Sequence, residues 1–71
     1  MSVLALHVNG EQLRLPAGST VADVVVRLTG EDNPPGVAVA VDRCIVPRSE
    51  WRTTPLAAGA RVEVVEAAAG G

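Results

Sequence analysis

The chain has 71 residues, enough to bury one hydrophobic core and therefore to form one domain. Its six cationic side chains are all arginines and its formal net charge is −2, so it lacks the clustered positive charge that nucleic-acid binding requires. A single cysteine excludes an internal disulfide, and with a single histidine it leaves no metal-ligand set.

The expected cellular location follows from the targeting signals and the cysteine usage. The N-terminus has no basic stretch before an apolar run, so no signal peptide is predicted. No apolar run approaches the ~20 residues that cross a membrane. Proteins without disulfides are typical of reducing compartments, and we therefore expect a soluble cytoplasmic protein.

The first predicted element is a β-hairpin. Apolar residues alternate with polar or small ones over residues 4–8 and again over 12–15, the period of half-buried strands. Between them, Asn9-Gly10 is the pair that favours a type I′ turn, in which both central residues have positive φ. Pro16-Ala17-Gly18 then ends the second strand.

A helix follows the hairpin. Its apolar face has the spacing i, i+3, i+4 and i+7, at Val21, Val24, Val25 and Leu28. Thr20 is the predicted N-cap, and Asp23 places a carboxylate near the positive end of the helix dipole. Gly30 suits the left-handed residue that ends a helix.

Three further strands are predicted in the second half of the chain, at residues 37–41, 44–46 and 61–65. Asp42-Arg43 is expected to turn the chain between the first two, and Pro47 to end the second of them.

The connecting segments are less regular. Residues 31–36 form a polar, proline-containing loop. Residues 47–55 are predicted to be irregular, with one short helical turn near residues 48–50, and Leu56 to contact the core.

The resulting order, β-β-α-β-β-β, predicts an α+β fold with a mixed sheet of about five strands and one main helix packed on one face. In this order the first and last strands are expected to pair in parallel. Residues 1–66 are predicted to form the domain, and residues 67–71 a flexible C-terminal tail ending in Gly-Gly.

No residue pattern predicts an enzyme. Nucleophilic catalysis needs a base within hydrogen-bond reach of the nucleophile, whereas His7 faces outward on the first strand and Cys44 lies in the second half of the chain. We expect His7 to be a solvated strand residue and Cys44 a buried or half-buried filler without a functional role. We therefore predict that the chain is not an enzyme.

The C-terminal Gly70-Gly71 is the stronger functional candidate. Glycine lacks a Cβ, so a tail that ends in two glycines enters a narrow cleft with little steric restriction. Three alanines before the pair keep the tail thin. A free carboxylate is a poor electrophile, so a partner has to activate it, most simply as an acyl-adenylate made from ATP.

The chain resembles the ThiS family, the sulfur-carrier proteins of thiamine biosynthesis, over essentially its full length. The residues that carry the resemblance are Val8-Asn9-Gly10-Glu11, Gly18-Ser19-Thr20-Val21, Val39-Ala40-Val41-Asp42, Val46-Pro47-Arg48-Ser49-Glu50-Trp51, Gly59-Ala60-Arg61-Val62 and Ala69-Gly70-Gly71. The Val-Pro-Arg-x-x-Trp segment is more specific than the terminal Gly-Gly. Cys44 departs from the family pattern, in which an ordinary strand residue stands at this position.

The resemblance implies a β-grasp, ubiquitin-like fold and a mechanism. An E1-like adenylyltransferase of the ThiF type would activate the Gly71 carboxylate with ATP, and the carrier itself would bind no cofactor. A sulfurtransferase or cysteine desulfurase would supply the sulfur that converts it to a thiocarboxylate. Thiazole synthase of the ThiG type would accept that sulfur. Gly71 would thus carry the sulfur, and Gly70 would give clearance in the partner's active site.

Two further residues have alternative interpretations. Trp51 is either the end of the hydrophobic core or, with Arg48 and the exposed sheet face, part of a partner surface, since Trp and Arg are enriched at binding hot spots.

Four other functions remain open from the sequence. They are the small subunit of molybdopterin synthase, a carrier for cysteine or another sulfur metabolite, a ubiquitin-like modifier, and an interaction module with an accidental Gly-Gly. Because the chain has no lysine, it could not build lysine-linked chains on itself.

Overall fold

A computed structural model describes residues 2–67, and within them the elements occur in the predicted order. They are β1 (Val3–Val8), β2 (Glu11–Pro16), α1 (Val21–Thr29), β3 (Val37–Val41), β4 (Cys44–Val46), a 3-10 turn (Arg48–Glu50) and β5 (Arg61–Glu66). The five strands form one sheet in the order β2-β1-β5-β3-β4. β1 and β5 are parallel and the other neighbours antiparallel, which confirms the mixed α+β sheet and the predicted pairing of the first and last strands.

Two tight turns set the strand registers. Asn9 and Gly10 have φ of 51° and 83°, so they form the predicted turn with two positive φ angles, and Val8 pairs with Glu11 across it. Asp42 and Arg43 form the equivalent turn between β3 and β4 with φ of 47° and 72°, although neither is glycine.

The helix has the predicted ends. The backbone N–H of Thr20 donates to the Asp23 carboxylate at 2.8 Å, which satisfies one of the free N–H groups at the N-terminus. Gly30 is left-handed, with φ of 80°, and its N–H donates to the carbonyl of Val26 at 2.8 Å.

The core lies between α1 and one face of the sheet and is almost wholly aliphatic. Its buried members are Leu6, Val8, Leu15, Val21, Val24, Val25, Val39, Trp51, Leu56, Ala60, Val62 and Val64. Leu28 was predicted to join this set, but its side chain is 43% exposed. It lies in the last turn of α1, beside Leu13 and the polar Glu11 and Gln12 of the hairpin, where no further element covers it.

The last strand is central in the sheet. β5 runs one residue further than predicted, because Glu66 pairs with Val37 of β3. The N–H of Ala67 then donates to the carbonyl of Gly36 at 2.7 Å, so the strand is held as far as the last described residue. No helix within residues 2–67 has the length and apolarity to span a membrane.

Candidate functional site

The two residues predicted to carry the chemistry, Gly70 and Gly71, lie outside the described residues. What the structure defines is the segment that leads to them. β5 is flanked by β1 on one side and β3 on the other, and two of its side chains, Val62 and Val64, are buried in the core. The chain therefore reaches Ala67 from the middle strand of the sheet, which has a neighbouring strand on each edge.

Trp51 belongs to the core. Its side chain is 2% exposed, and the indole N–H donates to the carbonyl of Val46 at 3.0 Å. A buried indole needs such a partner for its single donor. The interpretation of Trp51 as the end of the core is confirmed, and its part in a partner surface stays a prediction.

Arg48 lies over Trp51, with the guanidinium carbon 4.5 Å from the ring centroid. Its Nη1 donates to Oδ1 of Asn33 at 2.6 Å, and its Nη2 donates to the carbonyl of Val37 at 3.4 Å. Arg48 thus links the 3-10 turn to the loop before β3, and that loop supplies the Gly36 carbonyl that accepts from Ala67. Arg48 itself is exposed, so its part in a partner surface stays a prediction.

The residues considered for catalysis are far apart. His7 is exposed on β1, as predicted, and Cys44 is on β4, with β5 and β3 lying between these strands. Cys44 was expected to be buried or half-buried, but it is exposed. It begins the edge strand beside the Asp42-Arg43 turn, at the end away from Trp51, and is left uncovered there. Within residues 2–67, no three His, Cys, Asp or Glu side chains are grouped as metal ligands would be.

The sheet face opposite the helix carries exposed apolar side chains beside the end of β5. We call Ala38, Ala40, Ile45 and Val65 the outer patch. Ile45 is 72% exposed and Val65 is 61% exposed. The register pairs Ala40 with Ile45 and Ala38 with Val65, so strand alternation places all four on one face. The sequence analysis named an exposed sheet face without these residues, although Ile45 and Val65 alternate with inward-facing valines.

Comparison with known proteins agrees with the element order and the sheet topology. A family model described as the ThiS family matches residues 5–71. No curated protein matches the sequence. Among solved structures, the thiamine biosynthesis protein ThiS from Geobacter metallireducens matches with a TM-score of 0.73 and 20% sequence identity, over 96% of this chain and 100% of that one. At this identity the structural likeness establishes the shared fold, which is the β-grasp expected from the sequence.

Proposed function

This chain belongs to the ThiS family, and on that basis we propose that it is a sulfur carrier of thiamine biosynthesis whose working group is the Gly71 carboxylate. The observation that carries the proposal is the extent of the family match, which runs from residue 5 to Gly71 and so includes the Gly-Gly pair.

The proposed chemistry has two steps at the Gly71 carboxylate. A carboxylate oxygen attacks the α-phosphorus of ATP on an E1-like adenylyltransferase, which forms the acyl-adenylate and releases pyrophosphate. A sulfur nucleophile, hydrosulfide in the simplest case, then attacks the acyl carbon and expels AMP, leaving a thiocarboxylate. The carrier contributes no catalytic group to either step, so it is not itself an enzyme, and the partner binds the ATP.

The position of β5 supports this role. A central strand held on both edges ends at Glu66, and Ala67 is still hydrogen-bonded to Gly36. When a partner binds the folded domain, residues 68–71 therefore start from a fixed position relative to that partner. Fixing a reacting group in this way lowers the entropic barrier of the reaction.

The outer patch is the proposed contact surface for the adenylyltransferase. Large exposed apolar side chains mark interaction sites when they cluster, as Ile45 and Val65 do with two alanines between them. Val65 is two residues before Ala67, so the patch adjoins the segment that the enzyme must accept. A partner seated here would hold the body while the C-terminus enters its active site.

The other partners follow from the same proposal. A sulfurtransferase or cysteine desulfurase supplies the sulfur, and thiazole synthase accepts it. We place the carrier in the cytoplasm, where an exposed thiol such as Cys44 stays reduced.

Intact-mass analysis of the protein purified from its native cell tests the proposal. The expected species has the mass shift of one sulfur replacing one terminal oxygen, and its appearance requires the adenylyltransferase gene. Higher-mass conjugates in place of this species would indicate a protein modifier. An unaltered mass under sulfur-replete, thiamine-free growth would refute the carrier role.

A matched pair of variants connects the modification to the pathway. One residue added after Gly71 should abolish thiamine synthesis, whereas one residue added at the N-terminus should leave it intact. Growth rescue of the deletion strain by the thiazole precursor would assign the carrier to thiamine synthesis. Rescue by a molybdopterin-pathway product instead would assign it to the rival pathway.

A further inference from the structure

A side-chain clamp holds β5 beyond the point where its parallel partner ends. Among the described residues, β1 pairs with β5 as far as Val62, and the chain then turns away at Asn9. The Asn9 amide bridges the gap that the turn leaves. Its Oδ1 accepts from the N–H of Val64 at 2.9 Å, and its Nδ2 donates to the carbonyl of Val64 at 3.2 Å.

The Asn9 side chain therefore supplies the acceptor and the donor that the backbone of a longer β1 would offer to Val64. The backbone N–H of His7 donates to Ala60 at 3.0 Å and that of Asn9 to Val62 at 2.9 Å, and the amide continues this ladder to Val64. A primary amide has a donor and an acceptor side by side, so one amide can bond both the N–H and the carbonyl of a single residue. The clamp thus joins residues that are 55 positions apart in the chain.

Asparagine is the residue type that meets both local demands. Asn9 has φ of 51°, a left-handed conformation that glycine, asparagine and aspartate adopt most readily. Glycine would allow the turn without any clamp. Aspartate would offer an acceptor to the Val64 N–H but no donor to the Val64 carbonyl.

The opposite edge of β5 is held three residues further along the chain, by the bond from the Ala67 N–H to the carbonyl of Gly36. The proposed working group at Gly71 is four residues from Ala67, and four fully extended residues span at most about 14 Å. Any loosening of residues 64–67 would therefore change where the last four residues start and the direction in which they leave the sheet.

We propose that Asn9 is a positioning residue that directs the Gly71 carboxylate into the active site of the activating enzyme. The inference rests on the carrier function proposed above. Asn9 acts through Val64 and β5, and it does not contact the reacting atoms. Its loss should therefore impair the chemical step more than the docking of the folded body.

The experiment compares wild-type protein, Asn9→Gly and Asn9→Asp as substrates of the adenylyltransferase, with pyrophosphate release measured against carrier concentration. Asn9→Gly should lower kcat by about tenfold or more, since a misplacement of 1 Å can cost a hundredfold. KM for the carrier should stay near the wild-type value, because the outer patch is unchanged. Asp23→Ala is the control, since it removes the hydrogen bond to the Thr20 N–H without touching β5.

Each outcome is decisive at a temperature where melting curves show the variants folded. An unchanged kcat for Asn9→Gly overturns the positioning role, and so does an equal loss in Asp23→Ala, which would reflect general destabilisation. If Asn9→Gly does not fold, Asn9→Asp makes the same comparison. It keeps the acceptor for the Val64 N–H but has no donor for the Val64 carbonyl, so its kcat should also fall, and an unchanged kcat would overturn the positioning role. If the wild-type protein yields no adenylate, the carrier function itself is overturned. If the wild type and Asn9→Gly are equally active, only the positioning role of Asn9 is overturned.

Discussion

Replacing Trp51 tests whether this side chain supports the fold or a partner. The indole is 2% exposed, donates to Val46 and has Arg48 over its ring. Truncating a buried tryptophan to alanine costs about 3–5 kcal/mol. A single-core domain of this size has a total stability of about 3–5 kcal/mol, so Trp51→Ala is expected to be largely unfolded in water.

Trp51→Phe separates packing from the hydrogen bond. Phenylalanine keeps most of the apolar contact but leaves the Val46 carbonyl without the indole donor, at a cost of about 1–3 kcal/mol. Urea slopes for small domains are about 1 kcal/mol per M, so the midpoint should fall by about 1–3 M. Val3→Ala is the control, because Val3 is 61% exposed and should leave the midpoint unchanged.

Far-UV circular dichroism in a urea titration is the suitable assay, since Trp51 is the only aromatic residue and both variants lose its fluorescence. A Trp51→Ala protein with the wild-type midpoint, and with weakened binding to the adenylyltransferase, would refute the core assignment. The same midpoint with unchanged binding would refute both roles of the side chain.

Three further predictions concern exposed residues. Arg48→Met should lower the free energy of unfolding by about 1 kcal/mol, which corresponds to about 4–8 °C in melting temperature. Arg48→Lys should be no more stable, because an ammonium cannot reproduce the planar guanidinium that bonds Asn33. Equal melting temperatures of the wild type and both variants would contradict this. Ile45→Ser should raise KM for the adenylyltransferase about tenfold with little change in stability, whereas Val3→Ser, on the same face but away from the patch, should leave KM unchanged. Cys44 should react with a thiol reagent as fast in the folded protein as in urea, and Cys44→Ser should melt at the wild-type temperature; protection of the native thiol would show that it is covered.

Local chemistry made the hairpin and the helix predictable from the sequence. Asn9-Gly10 between alternating segments specifies a turn whose two φ angles are positive, and that turn fixes the register of β1 and β2. Thr20, Asp23 and Gly30 likewise mark the ends of α1 through hydrogen bonds to residues three or four positions away. Interactions between residues so close in the chain can be predicted from a short sequence pattern.

Burial at the edges of the fold was not predictable in the same way. Leu28 has the helical spacing of a core residue and Cys44 the strand register of one, but both lie where the partner layer has ended. The spacing of residues in the sequence determines on which face of a helix or strand a side chain lies. Whether that side chain is buried depends on how far the element packed against that face extends. The bridge from Arg48 to Asn33 depends in the same way on a loop 15 residues away in the chain.

Asn9 has two roles, one in the turn after β1 and one in the hydrogen bonds to Val64, and only the first was predicted from the sequence. Its turn role is visible in the sequence, whereas its bonds to Val64 span 55 residues.

Two residues in the most specific part of the family resemblance support the fold. In the Val46–Trp51 segment, Trp51 fills the core and Arg48 supports the loop that holds Ala67. The Gly-Gly terminus would carry out the same acyl chemistry in a thiamine carrier and in its molybdopterin rival. If the tail is common to both pathways and Trp51 is buried in the core, partner choice has to depend on exposed side chains. The outer patch around Ile45 includes Val65, two residues before Ala67, so exchanging Ile45 and Val65 should alter partner preference more than the buried substitution Trp51→Phe.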